Sequence, residues 1–404
     1  MASKLQTLIQ ELCPDGVEYV KIKDVFTRLR GTPITAGKMK EIASPLGDIT
    51  IFAGGKTVVK AFESDLLEAN VIRRPAVLVQ SRGIIDFIYS DQPFTFKNEM
   101  WAYAHESQTY VKFLYYVLKN NVDYFRDAAS GMGSLPQISL PVTEEFKIPV
   151  PPLPVQAEIV RILDVFTELT AALTAELTAR KKQYEYYRDW LLTFDDSVER
   201  VRLGEVILSL NTGLNPRQFF KLNTPNAKNY YITIREIING YIVPSDKTDR
   251  IDDRALMLCN GRSNLEKDDV LFSGTGTIGE TAIIQQAPLN WNIKEGVYSL
   301  KPNQMFIFPK YLRYILTSTP TKQEYMKRAF GGTVKSVSME ELRKIQIPLP
   351  SLVEQRRIVS ILDRFEALCN DLTSGLPAEI AARKKQYEYY RDKLLTFRAR
   401  NAAE

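Results

Sequence analysis

Arginine and lysine neutralise phosphates, and arginine, asparagine and glutamine can each grip a base edge with two hydrogen bonds. Loops that collect these residues are therefore where nucleic-acid recognition would sit. The first half of the chain gathers Lys38, Lys40, Lys56, Arg82, Lys97 and Asn98, with the loop Ser130-Gly-Met-Gly-Ser134 and Gln137. In that loop Ser130, Gly133 and Ser134 offer hydroxyl and amide donors. The second half gathers Arg217, Gln218, Lys221, Arg235, Arg262, Thr275 and Lys294, with the loop Gly331-Gly-Thr-Val-Lys-Ser336, whose candidates are Gly332, Thr333, Lys335 and Ser336. Hydroxyls and glycine amides suit phosphates, which position a domain without reading sequence, whereas the Arg and Gln side chains suit base readout. Taken singly, each cation is also readable as a solvated surface charge; the loop sets are what point to binding.

Catalytic chemistry finds less support. His105 is the only histidine, which removes most His-dependent acid–base, triad and metal chemistry, and beside Glu106 it reads as a surface or packing residue. Cys13, Cys259 and Cys369 form an odd, scattered set without CxxC spacing, so neither a disulfide framework nor a zinc site is indicated and a reducing cytoplasm fits best. No Walker loop, His-Glu-x-x-His or paired-carboxylate nuclease signature occurs. One segment, Phe272-Ser-Gly-Thr-Gly276, fits the Phe-x-Gly-x-Gly loop with which methyltransferases hold S-adenosylmethionine. An adenine methylase also needs an Asn/Asp-Pro-Pro-aromatic loop, and the only Pro-Pro is Pro151-Pro152. Two readings of the segment stand: a cofactor loop, or a turn with packing glycines.

The elements that would position these residues are organised around an internal duplication. Ala179 to Phe194, ARKKQYEYYRDWLLTF, recurs at Ala382 to Phe397 as ARKKQYEYYRDKLLTF, fifteen of sixteen positions being identical and Trp190 standing against Lys393. Upstream, Ile148-Pro-Val-Pro-Pro-Leu153 with Gln156, Ile159 and Ile162-Leu-Asp164 matches Ile347-Pro-Leu-Pro-Ser-Leu352 with Gln355, Ile358 and Ile361-Leu-Asp363. The second copy carries four extra residues between Asp363 and Arg383, close to one helical turn.

Apolar residues in the first copy run Ile159, Ile162, Phe166, Leu169, Leu173, Leu177, Tyr184, Tyr187, Leu191 and Phe194, a coiled-coil rhythm with a stutter. The second copy repeats it through Phe365, Leu372, Tyr387 and Tyr390. A helix of about 40 residues needs a partner along its seam, and the other copy is the simplest one, paired antiparallel about a pseudo-twofold axis. A dimerisation coiled coil is the plainer alternative. Gly375 and Pro377 should kink or interrupt the second helix. In the repeated Tyr-Glu-Tyr-Tyr-Arg cluster, Tyr184, Tyr186, Tyr187 and Arg188, and again Tyr387, Tyr389, Tyr390 and Arg391, lie on more than one face. Packing in the seam and contact with another subunit are both open to them.

A short amphipathic helix occupies residues 1 to about 15. Val17 to Val25 then reads as a strand, and Glu199 to Val206 has the same layout after the first long helix. Each half continues with short β-type runs (Ile49–Phe52, Ala76–Val79, Ile84–Tyr89; Tyr230–Ile234, Val270–Phe272, Thr281–Ile284, Gly296–Leu300) and one helix (Thr109–Asn120; Pro309 to about Thr317). Val77–Ile85 lies over Val270–Ile278, and Gly133–Ser139 over Gly332–Ser338. The expected fold is α+β, with recognition domains at 1–148 and 198–346 and conserved helices at 149–197 and 347–404. The 404-residue length, 45% apolar residues, 25% charged residues and net charge of +5 describe an ordinary soluble chain, compatible with nucleic-acid binding. No apolar run approaches the ~20 residues of a membrane span, and no signal sequence is evident.

The repeated helices, each introduced by Ile-Pro-x-Pro-x-Leu and closed by ARKKQYEYYRDxLLTF, with a Gly-Ser/Thr-x-x-x-Ile/Val-Ser segment before each, resemble the specificity subunit of type I restriction-modification enzymes. The Leu-Thr-Ala-x-Leu repeats of Leu169 to Leu177 resemble its IC branch. The resemblance covers essentially the whole chain. It implies a non-catalytic subunit whose two target-recognition domains each bind half of a split site in double-stranded DNA, while the helices fix the spacing and dock methyltransferase subunits. Two modification subunits and, for cleavage, two restriction subunits would carry the S-adenosylmethionine, ATP and magnesium chemistry, with no cofactor on this chain.

Overall fold

The computed structural model describes residues 4–66, 69–130, 135–370 and 375–400. The chain divides into two compact units, Met1–Ala172 with Ile380–Glu404, and Leu173–Glu379. This differs from the four consecutive segments with boundaries near 148, 197 and 346, because each unit takes in part of both repeated helices. Burial is the reason. Val155, Ile159, Leu163 and Leu395 belong to the core of the first unit, and Leu191, Leu192, Ile358 and Leu362 to that of the second.

In the first unit, Glu18–Lys21 pairs antiparallel with Lys147–Val150, the strand that leads into the long helix. The strand expected across Val17–Val25 stops at Lys21, and Ile22–Val25 makes one helical turn that buries Ile22 completely. A four-stranded antiparallel sheet follows, in the order Thr27–Arg30, Trp101–Ala104, Ala76–Gln80, Asp86–Ser90. Ala76–Gln80 is buried at every position, as an apolar run in a sheet interior should be. A second sheet places Ile49–Phe52 between Val58–Ala61, antiparallel, and Phe94–Phe96, parallel. Of the face read from the sequence of helix Gln108–Asn120, Val111, Leu114 and Leu118 are buried and Tyr115 is partly buried, and Phe113, Tyr116 and Val117 are buried as well.

The second unit is built to the same plan. Arg200–Arg202 pairs with Gln346–Pro348, and the four-stranded sheet runs Ile207–Thr212, Val297–Pro302, Val270–Ser273, Thr281–Ile283. Its three-stranded sheet sets Asn229–Ile232 between Arg250–Ile251, antiparallel, and Trp291–Ile293, parallel. Two additions went unread in the sequence. Helix Asp253–Ser263 is N-capped by Asp252, whose carboxylate accepts from the Ala255 amide. A hairpin, Ile237–Ile238 with Tyr241–Ile242, turns through Asn239 and Gly240 at φ 50° and 86°, the positive values that an Asn-Gly hairpin turn adopts.

The first repeated helix is Leu153–Leu191, 39 residues. The second copy forms two helices, Leu352–Asn370 and Leu376–Leu395, with Gly375 outside both and Pro377 in the first turn of the latter, where proline's missing amide costs nothing. Leu372 of the expected seam lies outside the described residues. In the first unit Phe166 stacks on Tyr390 at 5.6 Å between ring centroids and meets Tyr387 at 6.5 Å. In the second, Tyr187 stacks on Phe365 at 5.5 Å. Each unit thus sets the front half of one copy against the rear half of the other, the contact an antiparallel seam predicts.

Each globular half is fastened to its helix by the same trio. Asp164 accepts from Lys112 Nζ at 2.6 Å and from the Tyr116 hydroxyl at 2.6 Å. In the second unit Asp363 accepts from Lys310 Nζ at 2.6 Å and from the Tyr314 hydroxyl at 2.7 Å. The second unit adds a buried ion pair, Arg313 with Glu366, one arm of which is 2.7 Å long. Cys13, Cys259 and Cys369 are free and buried, and burial pushes the Cys259 thiol up to about 11. Among the described residues no helix is long and apolar enough to cross a membrane, and no group of three or more potential ligands could hold a metal ion.

Candidate nucleic-acid interface

In the first unit Lys40, Arg82 and Lys97 line one cleft with Gly54, Gly55 and Leu135. Lys40 comes from helix Ala36–Glu41, capped by the Thr35 hydroxyl. Lys56 is exposed in the adjoining hairpin loop, which is closed by the Ala53 amide donating to Thr57 O. Asn98 lines a neighbouring hollow with Arg28, Arg30 and Asn70. Lys97 is ion-paired to Glu99 at 2.9 Å within the cleft, whereas Lys38, ion-paired to Glu41 at 2.9 Å, does not line it. Gly133 and Ser134 lie outside the described residues.

In the second unit Arg235, Arg262, Thr275, Lys294 and Ser336 converge on one cleft with Tyr231, Tyr298 and Phe330. Arg217 and Gln218 sit exposed on the one-turn helix Pro216–Phe219, whose Pro216 also lines the cleft, and Lys221 follows it. Gly332, Thr333 and Lys335 are exposed in the loop after Gly331.

The two clefts are made by matching segments. Arg82 bridges Gln137 and Thr275 bridges Ser336, at positions the sequence alignment of the halves puts in register. Ile138 donates its amide to Ser81 O at 2.9 Å, and Val337 donates its amide to Gly274 O at 2.8 Å. Ser130 pairs with Gln137 as Phe330 does with Ser336. Lys97 and Lys294 each follow the parallel strand of a three-stranded sheet, with amides donating to Phe52 O and Ile232 O. Hydroxyl contact between Thr275 and Ser336, 2.9 Å, ties the second loop pair together.

The Phe272–Gly276 segment is part of this framework. Phe272 is buried against Tyr298 and Tyr325. A Cβ at Gly274 would stand 2.1 Å from the Tyr298 ring, and Gly276 has φ 81°. The amides of Ser273, Gly274 and Gly276 donate to Glu280, Gly296 and Lys335 carbonyls. Glycine is needed here for close packing and a left-handed turn, and those amides are spent inside the fold.

The repeated tyrosine cluster divides by face. Tyr184 packs on the second unit's core, and burial, chiefly, pushes its phenol well above the ordinary range. Tyr187 and Tyr390 take the stacking positions already described, and Tyr387 is partly buried against the first unit's core. Arg188 is buried, held by Asp189 at 2.8 Å, while Arg391 pairs with Asp392 at 2.9 Å. Tyr186 and Tyr389 face outward, 65% and 61% exposed, and so does Trp190 at 61%.

Two sets of residues escaped the sequence reading. The Lys–Asp–Tyr trios left a trace: Lys112 and Tyr116, like Lys310 and Tyr314, are four apart on a helix, and Asp164 and Asp363 fall in the repeated Ile-Leu-Asp. Around Arg235, Thr233 and Glu236 carry the Thr-x-x-Glu spacing of a capping box, a signal that could have found them, whereas Asp249 left none because it lies in a loop distant in sequence.

The chain matches the family described as "Type I restriction modification DNA specificity domain" twice, over residues 14–180 and 196–382. It is 32% identical over 367 residues to the Escherichia coli type I restriction enzyme EcoR124I/EcoR124II specificity subunit, covering 86% of this chain and 87% of that one. It is 34% identical over 271 residues to a putative type I restriction enzyme specificity subunit of Haemophilus influenzae, covering 63% and 64%. Its fold is similar to that of the type I restriction-modification S subunit from M. genitalium, with a TM-score of 0.57 at 18% identity over 94% of this chain and 96% of that one. The duplicated cleft, the duplicated helix and the double match agree: this chain belongs to the type I restriction-modification DNA specificity family.

Proposed function

We propose that this chain is the DNA sequence-specificity subunit of a type I restriction-modification complex. Each unit binds one half of a bipartite, asymmetric site in double-stranded DNA, and the chain itself performs no catalysis. The observation that carries this reading is the pair of matching, cation-lined clefts, built from corresponding segments but carrying different side chains: Lys40, Arg82 and Lys97 in one, Arg235, Arg262 and Lys294 in the other. Equivalent scaffolds with unlike linings suit two readers of different sequences. Serine, threonine and glycine of the loops ending at Gln137 and Ser336, with Gly133 and Ser134 among them, hold phosphates; arginine, asparagine and glutamine reach base edges.

The repeated helices set the spacer and dock the modification subunits. Supporting this is the outward placement of Tyr186, Trp190 and Tyr389, since exposed aromatics on a structurally repeated helix are the anchors that protein interfaces favour. Two methyltransferase subunits and two ATP-dependent restriction subunits complete the assembly in the cytoplasm. S-adenosylmethionine, ATP and magnesium reside on those partners.

Two measurements test the reading. Duplex DNA binding by the assembled complex should weaken steeply with salt, as multiple phosphate contacts require. S-adenosylmethionine should bind the assembled complex and leave the isolated chain empty. Binding of S-adenosylmethionine by the isolated chain, or DNA binding indifferent to salt, would contradict it.

A further inference from the structure

Arg235 stands apart from the other cations of its cleft because its guanidinium is anchored along one edge. Nε donates to the Thr233 hydroxyl at 3.3 Å and Nη2 donates to Asp249 Oδ2 at 2.8 Å. Both anchors are themselves fixed. The Thr233 amide and hydroxyl both donate to Glu236 Oε2, at 2.8 and 2.7 Å, and the Thr248 hydroxyl donates to Glu236 Oε1 at 3.2 Å. Asp249 Oδ1 accepts from Asn223 Nδ2 at 2.9 Å. Thr233, Glu236 and Thr248 are all buried, so the support is rigid while the Arg235 side chain stays 58% exposed at the cleft.

An arginine carries five N–H donors. With Nε and one Nη2 hydrogen engaged, the end of the fork remains: both Nη1 hydrogens and the second Nη2 hydrogen. Two parallel donors at that spacing match the O6 and N7 acceptors on the major-groove edge of guanine, and no other base offers two acceptors there. A phosphate contact needs no such anchoring, since a mobile lysine or arginine finds a phosphate from many directions. Resting on the proposed DNA-specificity function, we infer that Arg235 is a specificity-determining residue that reads one guanine in the half-site bound by the Leu173–Glu379 unit, with Asp249 and Thr233 as its positioning residues. Among the described residues Arg82, the arginine of the first unit's cleft, has no such anchors, so the inference is confined to the half-site bound by the Leu173–Glu379 unit.

The test uses the complete complex, formed with its cognate modification subunits, and reads methylated sites in genomic DNA by single-molecule sequencing. The wild-type motif is expected to contain a G·C pair in one half-site that Arg235→Ala broadens to all four bases, leaving the other half-site and the spacer unchanged. Discrimination at that position should fall roughly 5- to 150-fold in competition binding. Asp249→Asn, which removes the anchoring charge and keeps the arginine, should broaden the same position less. Arg235 is exposed, so the variant should fold, and the intact second half-site serves as the internal check. A motif unchanged by Arg235→Ala overturns the inference while leaving the proposed function standing. So does a uniform loss of affinity on all sequences with a shallower salt dependence, the mark of a phosphate contact. A wild-type complex with no bipartite site overturns both.

Discussion

At the scale of single residues, the buried polar groups settle which contacts matter for stability. Arg313 and Glu366 are about nine-tenths buried and paired, so Glu366→Leu strands a guanidinium and should cost about 3–5 kcal/mol in chemical unfolding. Joining it with Arg313→Met should recover most of that loss, because the pair's desolvation cost disappears with it. Glu158 gives a pH signature: the Arg161 guanidinium, at 2.7 and 3.0 Å, and then the Lys4 ammonium hold its carboxyl down at about 2 against an ordinary 4.5. Its stabilisation is present above pH 4.5 and fades as pH falls towards 2, so the wild-type advantage over Glu158→Gln should shrink over that window. The advantage at neutral pH should be about 1 kcal/mol, because Lys4 and Arg161 are exposed and screened by solvent. At this scale the sequence was readable for residue types and less so for roles. Arg235, Arg262, Thr275 and Lys294 were named as candidates from loop chemistry, but the Asp249 carboxylate that steers Arg235 comes from elsewhere in the chain, and no local pattern announces such a meeting.

At the scale of elements, periodicity did most of the predicting. The 39-residue helix, the Gly375 interruption and the helices at Gln108 and Pro309 follow from apolar spacing and from the two helix-breaking residues. The duplication aligned Arg82 with Thr275 and Gln137 with Ser336, but that Arg82 meets Gln137 as Thr275 meets Ser336 became visible only in the fold. Strand ends were harder: Val17–Val25 looks extended, yet tertiary docking of Ile22 beneath the Phe146 carbonyl turns its second half into a helix. Helix Asp253–Ser263 was missed because its apolar residues form one continuous run, Ala255 to Cys259, instead of a helical spacing, and only Ala255, Cys259 and Ser263 are buried. Two changes test what the long helices do. Inserting Leu-Thr-Ala-Glu after Leu177 adds one turn, roughly 6 Å, and should lengthen the nonspecific spacer of the methylated motif with both half-sites intact; an altered half-site would count against a ruler. Trp190→Lys, which makes the sixteen-residue string of the first copy identical to that of the second, should weaken binding of a modification subunit roughly 10-fold in a sedimentation titration and leave the DNA motif alone.

At the scale of the whole molecule, one architectural unit is written twice. Each copy supplies a strand pair, a four-stranded sheet, a three-stranded sheet with one parallel pairing, and a Lys–Asp–Tyr trio fastening these to a helix. What differs is the lining of the clefts and the added hairpin and helix of the second unit. This distribution, constant in framework and variable at the cation-bearing loops, is what a bipartite reader requires. Duplication itself was legible because fifteen of sixteen residues repeat, whereas the matching sheet order was not, since strands of diverged sequence keep their pairing through backbone hydrogen bonds that leave no signature in side-chain identity. On the proposed function, the two units read two different half-sites. Single-molecule sequencing of DNA from cells carrying this chain with its cognate modification subunit measures it directly. Adenine methylation is expected at one motif made of two unlike half-sites separated by a nonspecific spacer of fixed length. Methylation at a continuous motif, or at no motif that depends on this chain, would contradict it.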